Sequence, residues 1–206
     1  MTTVTFVVGI ERFNAGVWND VEARLKAEGV AVRINRYNDD HVDRKDPALA
    51  AAIAASDVVF LSLINMRNQA DWLGEQLRAA NVPTVFVYES MPEAMALTRV
   101  GDHRFAEKSG KPPKAVQLLM RLITRGRDED ALYAYTKLVK ITAKLLPLMP
   151  DKLGGFKTWL SVNLYWNQPD AGNITEMVKL ILRDTQKQAL KIAPVNVIPT
   201  MGCFDP

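Results

Sequence analysis

The stretch from Asp57 to Pro92, DVVFLSLINMRNQADWLGEQLRAANVPTVFVYESMP, restricts the fold of this chain more than any other. Two apolar runs rich in β-branched and aromatic residues, Val58–Ile64 and Thr84–Tyr88, flank one amphipathic helix pattern. Neither run alternates apolar with polar residues, as a strand with one wet face does. Continuous apolar runs of this length belong to strands covered on both faces. Between them, Asn68–Ala80 places Trp72, Leu73, Leu77 and Ala80 on one side at helical spacing. Strand, helix and strand in so short a span make a βαβ unit, which is right-handed and parallel in nearly every known case. Asn65 and Arg67 follow the first strand, and Glu89, Ser90 and Met91 follow the second. In open parallel sheets ligands or partners engage the edge beyond the C-terminal strand ends, so these five residues are candidate binding positions.

The preceding sequence extends the same pattern. Val4–Ile10 predicts a first buried strand, and the polar turn Glu11–Gly16 leads into a helix with Val17, Val21 and Leu25 inward and Gly29 as its stop. Val30–Tyr37 alternates, which suits a strand nearer the sheet edge. Asn38–Lys45 reads as a charged loop, and Asp46-Pro47 supplies the N-cap and first position of a short Ala-rich helix. The order is β-α-β-α-β-α-β. The expected fold class is therefore α/β, a flavodoxin-like or Rossmann-like parallel sheet of about four strands in order 2-1-3-4. Its switch point lies between the first and third strands.

After Pro92 the β-type runs stop. Arg99–Lys114 is a polar connector with Gly101, Gly110, Pro112 and Pro113, and helix patterns dominate beyond it. One face of the next segment carries Ala115, Leu118, Leu119, Leu122 and Ile123; the one after carries Leu132, Tyr135, Leu138, Val139, Thr142, Leu145 and Leu146, ended by Pro147 and Pro150. Asn173–Asp184 predicts a last helix with Ile174, Met177, Val178, Ile181 and Leu182 inward. The resulting division is an α/β domain at 1–98, an α-helical C-terminal extension at 99–192, and an aperiodic, proline-bearing connector at 193–206. That ending reads as the junction with a larger body.

Composition narrows the function classes. A net charge of +3 is too small to argue for nucleic acid. The single cysteine, Cys203, excludes an intramolecular disulfide and a cysteine-rich metal site, which fits a reducing, cytoplasmic setting. MTTVTFVVGIERF has no basic n-region, and no segment is apolar for long enough to span a membrane.

Motifs exclude more than they assign. GIERFNAG follows the first strand where a dinucleotide fold needs G-x-G-x-x-G, and no Walker-type loop occurs. A phosphoacceptor domain needs Asp at the end of the third strand; here Asn65 stands there, and its amide is no nucleophile. Asp39, Asp40, His41 and Asp43 form an acidic knot, but beside Arg36, Arg44 and Lys45 it reads as solvated surface rather than a cation site. His103 is isolated, and Met91 and Met95 suit packing better than a cofactor box. The cations from Arg99 to Arg127 outnumber the nearby acids and read first as a solvated face, second as a surface for carboxylates. In Trp159–Gln168, Trp159, Val162 and Trp166 share a helical face and suit a core. As function, Trp166 with Asn167 and Gln168 would line the site of a flat hydrophobic ligand.

Several of these stretches together resemble a known family. VFLSLI at 59–64, VYESMPEAM at 87–95, KLLP at 144–147 and DKLGGFKTWLSVNLYWNQ at 151–168 are similar to the N-terminal region of the large (H) subunit of magnesium chelatase, a relative of the cobaltochelatase large subunit. The tail PTMGCFDP is similar to the junction with that family's much larger body. The family often has a double glycine after the Asn-Gln pair, where this chain has Pro169-Asp170-Ala171-Gly172. The resemblance implies a whole subunit that binds protoporphyrin IX and inserts Mg2+ into it, with ATP hydrolysed on separate motor subunits, in chlorophyll or bacteriochlorophyll synthesis. It carries over no catalytic residue and no cofactor to this stretch. A scaffold, or a domain docking porphyrin, the rest of the subunit or the motor subunits, is the expected role. The rival is a standalone α/β module that binds a small ligand or a protein; an independent enzyme with Glu11 or Glu89 as base is a third reading.

Overall fold

The computed structural model describes residues 1–9, 15–104, 146 and 154–197. The helix patterns at 115–123 and 132–145, most of the turn at 10–14 with Glu11, and the tail from 198 lie outside the described residues. Four parallel strands form the centre: β1 (Thr2–Val8), β2 (Val32–Asn38), β3 (Val58–Ser62) and β4 (Thr84–Tyr88). Their helices are α1 (Ala15–Ala27), α2 (Asp39–Asp43), α3 (Pro47–Ala54) and α4 (Arg67–Ala79). The short α5 (Pro92–Met95), the two-residue strands β5 (Arg99–Val100) and β6 (His103–Arg104), and the helices α6 (Gly154–Trp166) and α7 (Ala171–Gln186) follow. The sheet runs β2-β1-β3-β4-β5-β6, so the expected order 2-1-3-4 holds and is extended.

The extension corrects the expectation that β structure ends at Pro92. Arg99–Val100 turns back antiparallel on β4 through the pair Val85↔Arg99, and Gly101, at φ 54°, opens the turn to β6. Two-residue strands carry no periodicity, so the sequence pattern is blind to them. The Arg99 guanidinium donates to the Val82 carbonyl at 3.1 Å and anchors the new edge. The charged loop at Asn38–Lys45 also contains the short α2, whose capping box pairs Asn38 with His41. The Asp46 cap is as expected, its carboxylate accepting from Ala48 N–H at 2.8 Å with Pro47 at the first helical position.

In-register parallel pairing sorts the side chains onto two faces. Phe6, Phe60 and Phe86 are mutual register partners and point to one side; Val7, Leu61 and Val87 point to the other. Each buried Phe contributes about 1.5–3 kcal/mol of burial. The second face is covered by α3 and α4 through Leu49, Ile53, Trp72, Leu73 and Leu77. The Phe face is covered by α1 through Trp18, Val21 and Leu25, and by α6 and α7 through Val162, Tyr165, Met177, Val178 and Ile181. Helices far along the chain thus complete the layer that α1 begins. Two bonds tie α6 to β4: Tyr88 Oη donates to the Trp159 carbonyl at 2.8 Å, and Trp159 Nε1 donates to the Val87 carbonyl at 3.2 Å. Burial raises the Tyr88 hydroxyl well above the usual tyrosine range, so it stays a donor. Gly155 lets α6 start directly on β5, since a Cβ there would strike the Val100 carbonyl.

Beyond α7 the chain turns through Lys187, at φ 58°, and runs back along the helix as a strap. Asn173 holds it with a reciprocal pair: its Nδ2 donates to the Asn196 carbonyl and its Oδ1 accepts from Asn196 N–H, both at 2.8 Å. Tyr165 Oη donates to the Ala193 carbonyl at 2.5 Å, and Glu176 Oε2 accepts from Ala193 N–H at 2.7 Å. Among the described residues no helix is long and apolar enough to cross a membrane.

Candidate functional site

Three neighbouring strand ends meet at the switch point. Val8, Ser62 and Tyr88 are register partners on β1, β3 and β4, so Gly9, Leu63 and Glu89 come next on adjacent strands. Gly9 N–H donates to the Ser62 carbonyl at 2.9 Å, and a Cβ at Gly9 would fall on the Leu63 carbonyl. Glycine is therefore required here by close approach of two backbones. Leu63 at φ 58° and Glu89 at φ 48° both sit in the left-handed region without being glycine. Such strain is held in place by surrounding structure and concentrates where a side chain must be aimed.

Against these ends lies an open cleft of about 320 Å³. Val17 and Trp18 of α1 form one wall, Trp166 and Asn167 at the end of α6 form another, and Pro169 and Ile174 close the side toward α7. Leu63 and Glu89 supply the floor. Trp166 Nε1 donates to the buried Ser62 Oγ at 3.2 Å, which leaves the Ser62 hydroxyl to face Glu89 Oε2 at a long 3.4 Å. The Trp166 ring meets Phe60 at 4.8 Å, nearly edge-on, so it belongs to the core and to the cleft wall at once. Trp18 is fixed the same way by Phe6 at 4.7 Å. The cleft is thus two indole-bearing walls, aliphatic side chains and one carboxylate.

Of the residues proposed from sequence, Glu89, Trp166 and Asn167 come together in this cleft. Ser90 turns away and serves the backbone, its hydroxyl accepting from Ile64 N–H at 3.0 Å and donating to the Tyr88 carbonyl at 2.7 Å. Met91 packs on the α4 side of the sheet and precedes α5. Asn65 is exposed, and Arg67 is an exposed side chain near Asp71 at 3.8 Å and Glu93 at 3.6 Å. Gln168 is buried in the α6–α7 turn, where its carbonyl accepts from Asn173 Nδ2 at 2.9 Å. Leu63 and Trp18 of the cleft, and Ser62, which bonds to Trp166 and Glu89, were not singled out by sequence reasoning. Ser62 alone carried a signal, as the one hydroxyl in an otherwise apolar strand. Among the described residues no three His, Cys, Asp or Glu side chains converge as a metal site, and the acidic knot at Asp39–Asp43 is occupied otherwise: Asn38 caps with His41, and Asp43 accepts from Gln69 at 2.9 Å.

The fold and the cleft define a doubly wound α/β domain with a ligand-sized opening at its topological switch point. The model of one family, described as "Domain of unknown function (DUF3479)", matches residues 3–160, and the chain belongs to that family. The chain is also 42% identical over 204 residues to the H subunit of magnesium chelatase from Chlorobaculum parvum (strain DSM 263 / NCIMB 8327), which bears out the resemblance seen in its sequence. The match takes in 98% of this chain and 16% of that relative, so the chain spans about a sixth of the relative's length.

Proposed function

We propose that this chain is the head domain of a magnesium-chelatase large subunit, acting in Mg2+ insertion into protoporphyrin IX without performing the insertion itself. The observation that carries this reading is the 42% identity across nearly the whole chain. The strap at 188–197 is bonded back along α7, so the described chain is held to the domain up to that point. Protoporphyrin IX and Mg2+ are substrates of the whole enzyme in this reading, ATP is hydrolysed on separate motor subunits, and the product enters chlorophyll or bacteriochlorophyll synthesis in the cytoplasm. The domain encloses the porphyrin or docks the motor subunits.

The test compares the full-length protein with one lacking residues 1–206, by protoporphyrin fluorescence quenching and by Mg-protoporphyrin formation with the motor subunits present. Lost porphyrin affinity indicates enclosure. Lost chelation with intact affinity indicates docking. Unchanged affinity and unchanged chelation would refute the role.

A further inference from the structure

We propose that the switch-point cleft is a binding site for an organic cation, an alkylammonium or alkylguanidinium group seated between Trp166 and Glu89. The argument starts from charge. Among the described residues, Glu89 is the only ionised side chain lining the cleft, and its carboxylate makes one long bond, to Ser62, and no ion pair. An anionic ligand would meet that carboxylate at close range; a cation would satisfy it with a charge-assisted bond. The indole of Trp166 adds attraction for a cation over its face, and Leu63 and Ile174 offer apolar surface to an alkyl stem.

The helix ends bear on the same choice. Helix α6 terminates at the cleft, and the negative end of its dipole favours positive charge there. The N-terminus of α7 is already capped by Asp170, whose Oδ1 accepts from Asn173 N–H at 2.7 Å. Helix α1 also begins beside the cleft and its positive end favours an anion, but a dipole end equals only about half a charge and Glu89 carries a full one. The left-handed backbone at Glu89 sharpens the point. A glycine would adopt φ 48° without strain, whereas glutamate in this conformation places a carboxylate at the cleft floor. A volume of about 320 Å³ is at the low end for ligand pockets and admits a group the size of one long side chain.

Two sources share this chemistry: a free amine and a Lys or Arg side chain of a polypeptide. The test titrates the chain with agmatine, butylamine and an acetylated Gly-Arg-Gly amide, with butyrate and inorganic phosphate as anions, at constant ionic strength. Tryptophan fluorescence is the readout, because Trp18 and Trp166 line the cleft. Saturable binding of the cations is expected, with none for the anions, and Glu89→Gln should weaken it by about tenfold, the loss of one charge-assisted interaction. Glu89 is exposed, so the variant should keep the native circular dichroism spectrum. Tighter binding of the peptide identifies a polypeptide side chain, and tighter binding of agmatine or butylamine identifies a free amine. The proposal is overturned if no cation saturates by about 10 mM, if phosphate or butyrate binds as tightly, or if Glu89→Gln leaves affinity unchanged. None of these readouts involves metal insertion, so this outcome and that of the head-domain test are independent.

Discussion

Replacing Lys179 with Met should break a buried ionic clamp and destabilise the fold by an amount the structure bounds. The Lys179 side chain is 7% exposed and its ammonium sits 2.7 Å from Glu28, just past the end of α1, and 2.9 Å from Glu176 one turn back on α7. Glu176 in turn holds Ala193 of the strap, so one ammonium ties α1, α7 and the strap together. Removing one partner of a fully buried pair costs about 3–5 kcal/mol. Glu28 is 47% exposed and can turn to water, while Glu176, at 15%, keeps only the Ala193 amide. The cost of Lys179→Met should therefore be about 2–3 kcal/mol at neutral pH, or about 4–12 °C in Tm for a chain of this size. Urea unfolding measures it directly. Adding Glu176→Gln should recover about 1 kcal/mol, since the buried carboxylate left unpaired is then gone.

Alkaline pH gives an independent check on the same clamp. Burial lowers the Lys179 pKa, but its hydrogen bonds to the Glu28 and Glu176 carboxylates outweigh it and leave it above the ordinary lysine value. The folded state thus holds this proton more tightly than the unfolded chain. The contribution is complete below the unfolded value of about 10.4 and disappears as pH rises through the folded value. The stability gap between wild type and Lys179→Met should stay constant up to about pH 10 and narrow above it. A gap under about 0.5 kcal/mol at neutral pH, within the range of ordinary surface substitutions, would refute the reasoning, as would a gap that does not narrow.

Other perturbations follow from particular contacts. Glu89→Gly should stabilise the fold by about 0.5–1 kcal/mol, because relief of the left-handed backbone exceeds the entropy glycine adds to the unfolded chain; urea unfolding showing a loss would count against strain at that residue. Gly155→Ala should cost about 1–3 kcal/mol, since its Cβ would push α6 off the Val100 carbonyl, and tryptophan fluorescence should report the displacement of Trp159. Tyr88→Phe should cost about 1 kcal/mol by removing the bond to the Trp159 carbonyl. Because burial raises the Tyr88 pKa, that difference should be complete below about pH 10 and shrink above it, and tyrosinate absorbance of the native protein should show one hydroxyl that ionises only on unfolding.

The central sheet was legible because its strands are covered on both faces. Val58–Ser62 and Thr84–Tyr88 had to be continuous apolar runs, whereas β2, at the sheet edge, is only half-buried along most of its length and carries polar residues. Asp46-Pro47 and Gly29, at φ 69°, carried their local conformations in their chemistry. The antiparallel edge was not legible, because β5 is fixed by one register pair and by Arg99 reaching across to Val82. Glu89 and Trp166 could be proposed from strand ends and aromatic spacing. That they face one another could not, since it depends on α6 packing on the Phe face from more than sixty residues away. Leu63 escaped notice for a different reason: nothing about a leucine announces a left-handed backbone.

That shared Phe face has a consequence for synthesis on the ribosome. When β4 has emerged, Phe60, Phe86 and Tyr88 are in place, but the helices that shield them, α6 and α7, end only at Gln186. At ordinary translation speed the sheet waits on the order of ten seconds with its aromatic side covered only in part, by α1. A nascent chain halted before residue 154 should bind hydrophobic-surface chaperones, and one extended past the strap should release them. The early strands thus depend for their protection on residues translated well after them.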